Sequence, residues 1–147
     1  MSNRLNILWA SMWGSAEMVA KKLNHIAKEK GIEADLKELD DVSLSELQEL
    51  TKVAIVTSTT GEGDMPDNGQ GFWEDIRDAK GVALNNLKYG VLALGDRAHD
   101  SFCNAGKKVD NQLDKLGAQR VIERQECDGN TDGSIEWSEK FLELISK

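Results

Sequence analysis

Apolar positions along the chain fall into two alternating patterns. Short aliphatic and β-branched runs at 4–10 (RLNILWA), 52–58 (KVAIVTS) and 88–95 (KYGVLALG) read as strands. The last two are continuous enough to be covered on both faces. Between the runs the spacing changes to that of a helix. Val19, Leu23, Ile26 and Ala27 mark one face of a segment at 15–30, closed by Gly31. Phe72, Ile76 and Ala79 mark a second face, and Ala105, Val109, Leu113 and Leu116 a third, over 102–116 with Gly117 as its stop. Trp137, Phe141, Leu144 and Ile145 mark the last. Residues 33–39 alternate weakly, and 119–127 reads as a final strand. Ser43 and Glu46 have capping-box spacing, which predicts a short helix ending near Leu50.

Strand followed by helix, about five times over, predicts an α/β protein with a five-stranded parallel sheet and helices on both faces. Right-handed crossovers make this a doubly wound, three-layer sandwich. So few strands favour the order 2-1-3-4-5 over the longer dinucleotide-binding arrangement. Ligands of such sheets bind beyond the carboxyl ends of the strands, where the strand order reverses. The residues that follow positions 10, 58, 95 and 127 are therefore the candidates for chemistry.

Length and charge narrow the classes. A chain of 147 residues is the size of one domain, 1–147, and 39% hydrophobic with 30% charged residues is an ordinary globular composition. Eighteen basic against 26 acidic residues give a net charge of −8. That argues against nucleic acid and against an anionic membrane surface, and it suits docking onto basic partner patches. Two cysteines, Cys103 and Cys127, and two histidines, His25 and His99, with no CxxC, predict neither a disulfide framework nor a zinc site. With neither a cleaved leader nor a membrane span in the pattern, the expected compartment is the cytoplasm.

The first candidate loop holds Ser11, Met12, Trp13, Gly14, Ser15 and Ala16 and runs straight into a helix. Two hydroxyls, a glycine and a helix N-terminus suit a single terminal phosphate, because the unpaired N–H groups and the helix dipole both favour an anion. The loop has no Lys or Arg and matches neither GxxxxGK[ST] nor GxGxxG, so a triphosphate with Mg²⁺ is not expected. The same residues also read as a plain turn capped by Ser15. The second loop begins Ser58, Thr59, Thr60, Gly61, Glu62, Gly63. Its hydroxyls offer hydrogen bonds and its glycines let the backbone approach a planar ligand. Equally, it is a surface loop ending in a cap at Asp67 or Asn68. The third holds Leu94, Gly95, Asp96, His99, Phe102 and Cys103. Three such loops at one crevice reinforce one another. A phospho-acceptor receiver of the same topology needs paired acids after the first strand and Asp after the third. Ser11 and Ser58 stand in those places, which excludes it. The pair Asp40 and Asp41 reads as a solvated turn.

Read in order, S-x-x-G-S-A, S-T-x-G-E-G and L-G-D-x-x-x-x-x-F-C resemble the flavodoxin family over the whole length of the chain. Within it they are similar to the FMN domain of diflavin reductases, such as the sulfite reductase flavoprotein. The short link from last strand to last helix resembles the short-chain, MioC-type branch. The resemblance implies a flavodoxin-like three-layer sandwich with FMN as cofactor. Residues 11–16 would hold the phosphate, and 58–61 and 94–103 would flank the isoalloxazine ring. Three positions depart from the family pattern: Trp13 stands for a Thr, His99 for the Tyr that stacks on the outer face of the ring, and Thr60 for an inner-face aromatic. The resemblance makes Cys103 a packing residue near the ribityl chain, although a helix N-terminus by itself favours a thiolate. The implied function is that of a monomeric electron carrier rather than an enzyme. It would pass single electrons from a separate NAD(P)H-dependent reductase to an acceptor redox protein with a basic docking surface. Two other readings stand beside it: a flavin-poor interaction module of the same fold, and a small NAD(P)H-dependent flavin or quinone reductase, for which no second nucleotide motif is present.

Overall fold

Eleven regular elements appear in the computed structural model, which describes residues 4–11, 14–59, 65–95, 103–128 and 133–146. In chain order they are β1 (Leu5–Ala10), α1 (Ser15–Glu29), β2 (Ala34–Glu38), α2 (Leu44–Glu49), β3 (Lys52–Ser58), α3 (Gln70–Arg77), β4 (Lys88–Gly95), α4 (Asn104–Lys115), β5 (Gln119–Arg120), β6 (Gln125–Asp128) and α5 (Ser134–Ile145). Every pairing is parallel, and the sheet order is β2-β1-β3-β4-β5, with β6 also on β4. This is the expected 2-1-3-4-5 order and the flavodoxin-like fold.

Side-chain alternation along the strands sorts the core into two layers. Leu8, Ala10, Val53, Ile55, Tyr89 and Val91 face α2, α3 and α4, where Leu47, Phe72, Ile76, Val109 and Leu113 cover them. Leu5, Ile7, Ala54, Val56, Leu92 and Leu94 face α1 and α5, under Leu23, Ile26, Trp137 and Phe141. Both faces of β3 and β4 are buried, which is why these strands read as unbroken apolar runs. Helix α4 lies close to the sheet at Gly106, where a Cβ would collide with that of Ala93 on β4. The capping box of α2 forms as the spacing predicts, with Glu46 N–H donating to Ser43 Oγ at 3.2 Å and Ser43 N–H to Glu46 Oε1 at 3.4 Å.

The last strand differs from its reading as one run over 119–127. It is split into β5 and β6, so that Gly90 and Val91 of β4 face four edge residues, 121–124. The detour is held from both faces of the sheet. On one side Ile122, Trp137 and Phe141 crowd over Gly90, where a Cβ would come within 2.9 Å of all three. Trp137 Nε1 there donates to the Glu123 carbonyl at 3.0 Å, and its ring stacks on Phe141 at 5.1 Å. On the other side Arg120 and Arg124 reach the carboxylate of Asp110 on α4. No helix among the described residues is long and apolar enough to cross a membrane.

Candidate functional site

The carboxyl ends of β1, β3 and β4 lie side by side, with Ala10 in register with Thr57 and Ser58 with Leu94. Beyond Ala10 the chain turns into α1 through Gly14, which is left-handed at φ 89°. A Cβ on Gly14 would meet nothing within 4 Å among the described residues. The residue that organises this turn is Ser11. Its Oγ accepts from Gly14 N–H at 2.9 Å and from Ala16 N–H at 3.4 Å. Ser15 is the exposed first residue of α1 and supplies no side-chain cap, whereas Ala16 is buried. The reading of Ser15 as the cap is thereby replaced by Ser11, four residues earlier. Met12 and Trp13 lie outside the described residues.

Ser11 is itself held from a distant segment. Its N–H donates to Asn68 Oδ1 at 3.0 Å, and Asn68 Nδ2 donates to Glu38 Oε1 at 3.0 Å. Asn68 sits in a short 3-10 turn, Asp67–Gly69. That turn is pressed against β1: a Cβ on Gly69 would lie 2.8 Å from the Ala10 Cβ and 2.9 Å from Met65 Cε. Asp40, expected to be merely solvated, accepts from Phe72 N–H at 2.9 Å and so satisfies the first turn of α3.

At the end of β3, the Ser58 Oγ is 3.5 Å from the Ala10 carbonyl oxygen. Thr59 bridges two elements: its N–H donates to the Leu94 carbonyl at 3.1 Å, and its Oγ1 accepts from Ala105 N–H in the first turn of α4 at 3.1 Å. Its oxygen thus serves the loop framework, as that of Ser11 does. At the end of β4, Leu94 is buried and Gly95 admits the backbone of Cys103, whose nitrogen would be 2.8 Å from a Cβ there. Cys103 is fully buried, takes a positive φ of 53°, and directs its thiol toward the Ala93 carbonyl at 3.6 Å. Burial pushes the thiol up to about 12, so the packing reading holds over the thiolate one despite the adjacent helix N-terminus. Thr60, Gly61, Asp96, His99 and Phe102 lie outside the described residues.

The structure therefore gathers Ser11, Gly14, Ser15, Ala16, Ser58, Thr59, Leu94, Gly95 and Cys103 on one edge of the sheet. Sequence reasoning missed Glu38 and passed over Asn68 as a simple helix cap; nothing in local spacing reveals a hydrogen bond spanning 57 residues. A separate cavity of about 410 Å³ lies between the strand detour and α5, lined by Ile122, Arg124, Gln125 and Trp137 among others, and it includes none of the predicted residues. The donor set at the β1–α1 turn is backbone N–H groups and hydroxyls, with no cationic side chain in 11–16. That set, a neutral group of donors at a helix N-terminus, fits the monoester phosphate of a flavin mononucleotide.

A parallel 2-1-3-4-5 sheet with these loops at its reversal point defines a doubly wound ligand-binding protein of the short, five-strand type. The chain belongs to the flavodoxin family: the Flavodoxin family profile matches residues 7–141. FMN is the cofactor of that family, and electron transfer is its work. The sulfite reductase [NADPH] flavoprotein alpha-component of Vibrio cholerae is 40% identical over 145 residues, 98% of this chain and 24% of that protein. The Bacillus subtilis protein of the same name is 33% identical over 148 residues, with the same 24% share. The chain thus spans about a quarter of the length of these relatives. Among solved structures, a Streptococcus pneumoniae flavodoxin superposes with TM-score 0.84 at 31% identity, over 97% of each chain. The C101S mutant of Pseudomonas aeruginosa flavodoxin gives 0.83 at 31% identity, over 98% of this chain and 99% of that one.

Proposed function

We propose that this chain is an FMN-bound electron carrier that passes single electrons from an NAD(P)H-dependent reductase to an acceptor redox protein. The observation that carries this reading is that Ser11, Ser58, Thr59, Leu94 and Gly95, which open the three candidate loops, stand together at the carboxyl edge of a flavodoxin-family sheet. FMN, when bound, supplies the one- and two-electron redox chemistry, and the protein supplies binding, orientation and surroundings. Ser11, Gly14, Ser15 and Ala16, with Met12 and Trp13, would hold the phosphate. Ser58, Thr59, Thr60 and Gly61, with Leu94, Gly95, Asp96, His99, Phe102 and Cys103, would border the ring. The net charge of −8 supports a basic docking surface on the acceptor. In this reading the carrier works in the cytoplasm, with residues 1–147 as one FMN-binding unit, monomeric in solution.

Purified protein should be yellow, with a flavin absorbance that is removed with FMN and restored by adding it back. Ser11→Ala combined with Ser15→Ala should weaken FMN about tenfold more than riboflavin, because a lost hydrogen bond to a charged phosphate costs more than one to a neutral group. Equal weakening of both flavins would place the phosphate elsewhere. His99→Tyr should tighten flavin binding by improving stacking on the outer face; unchanged affinity and spectrum would remove His99 from the ring. The relatives are parts of a reductase, which favours a second reading in which the chain works as the electron-delivering section of such an enzyme. Reduction by a separate reductase in trans separates the two: a free carrier is reduced at a rate that rises with its concentration and turns over many times, whereas a section built into one enzyme is reduced slowly unless joined to it.

A further inference from the structure

The geometry points to Asn68, oriented by Glu38, as the positioning residue that presets the phosphate loop of the carrier. This inference rests on the FMN reading above and goes beyond it, since neither residue is among those proposed to meet the cofactor.

A phosphate bound at a helix N-terminus needs its donors in place before it arrives. Otherwise ordering them subtracts from the affinity. The Ser11 oxygen accepts from Gly14 and Ala16 N–H, which fixes the turn and leaves the Ser11 O–H to donate to a phosphate, but it can do so only if Ser11 is itself fixed at the end of β1. Its backbone N–H is fixed by Asn68 Oδ1 at 3.0 Å. A carboxamide can present either end, and only the oxygen can accept from an N–H. Glu38 settles which end is presented, because a carboxylate accepts only and must take the amide nitrogen, here at 3.0 Å. Glu38 is the last residue of β2 and pairs in register with Trp9 of β1, so the acceptor stands on the sheet itself. Gly69 lets the 3-10 turn lie close enough to Ala10 for Asn68 to reach. The chain of bonds therefore runs from the edge strand through Glu38, Asn68 and Ser11 to the first turn of α1.

The sign of the Glu38 effect makes the idea testable. A carboxylate near a phosphate repels it, so by charge alone removing Glu38 would tighten FMN. Through Asn68, removing it loosens FMN. Glu38→Gln and Glu38→Ala delete the same charge, but only the Gln side chain keeps an oxygen to accept from Asn68. The full chain, stripped of flavin, is titrated separately with FMN and with riboflavin, and the melting temperature of each flavin-free variant is recorded. Glu38→Ala should bind FMN about fivefold more weakly than Glu38→Gln, while riboflavin affinity differs by less than about twofold. Asn68→Ala should weaken FMN about tenfold relative to wild type with the same small effect on riboflavin. Equal FMN affinity in the two Glu38 variants, or equal loss of both flavins in Asn68→Ala, overturns the proposal. Failure of the underlying site assignment is seen separately, in the wild type: FMN binding no tighter than riboflavin overturns both.

Discussion

Asp110 is the acid with the most at stake in the interior. Its side chain is only 2% exposed, and it accepts from Tyr89 Oη at 2.7 Å, Arg120 Nε at 2.8 Å and Arg124 Nη1 at 2.6 Å. Burial and this carboxylate raise the Tyr89 phenol well above its ordinary range, so Tyr89 remains a donor at any working pH. Asp110→Ala takes the carboxylate from Arg120 and the Tyr89 hydroxyl, leaves Arg124 with Glu126 alone, and should cost about 3 kcal/mol in urea unfolding. A loss below about 1 kcal/mol would show the arginines finding water instead. Cys103 is a second buried titratable group. Its folded pKa lies above its unfolded one, so its contribution to stability is complete below the unfolded value near 9 and is lost as pH rises toward about 12. Native protein at pH 8 should resist a thiol reagent at both cysteines, which are buried, and react fully in urea. Neither role is legible along the chain. Asp110 looks like one more polar residue on an amphipathic helix, because the partners that define it stand 10 to 21 positions away.

At the scale of elements, periodicity carried the reading far. The buried runs of β3 and β4 and the helical faces of α1, α4 and α5 were visible because each pairs a fixed period with burial on one or both faces. The break between β5 and β6 was hidden, because Gln119–Cys127 alternates well enough to pass for one strand. What breaks it is tertiary: a glycine in the neighbouring strand and a tryptophan from the last helix. Close approach between elements is likewise a matter of missing side-chain atoms. Gly106→Ala should force α4 away from Ala93 and cost about 1–3 kcal/mol, measured as a lower urea midpoint at unchanged slope. Because Cys103 and Ala105 open that helix beside Gly95 and Thr59, the same substitution should also weaken flavin binding.

The molecule as a whole was legible in its strand order and in the edge that gathers its loops, since right-handed crossovers and chain order leave few alternatives. Its net charge of −8 sets how it meets other proteins. Electron transfer to an acceptor with a basic face should slow steeply as salt rises, because charges on separate surfaces are screened beyond about 10 Å at 0.1 M. A rate indifferent to salt in stopped-flow mixing would show that charge does not guide the encounter.

The divided outer strand also governs what this molecule does in crowded company. A long, straight sheet margin offers unsatisfied N–H and C=O groups to any extended chain that drifts past, the usual start of fibrous self-association. Here that margin amounts to two short stretches, two residues and four, separated by a detour pinned from above and below. A visiting strand that matched the first stretch would lose step before it reached the second. Loosening the pins, with Trp137→Phe and Arg124→Gln together, should straighten the margin and raise thioflavin-T signal on prolonged incubation, while the parent protein stays clear.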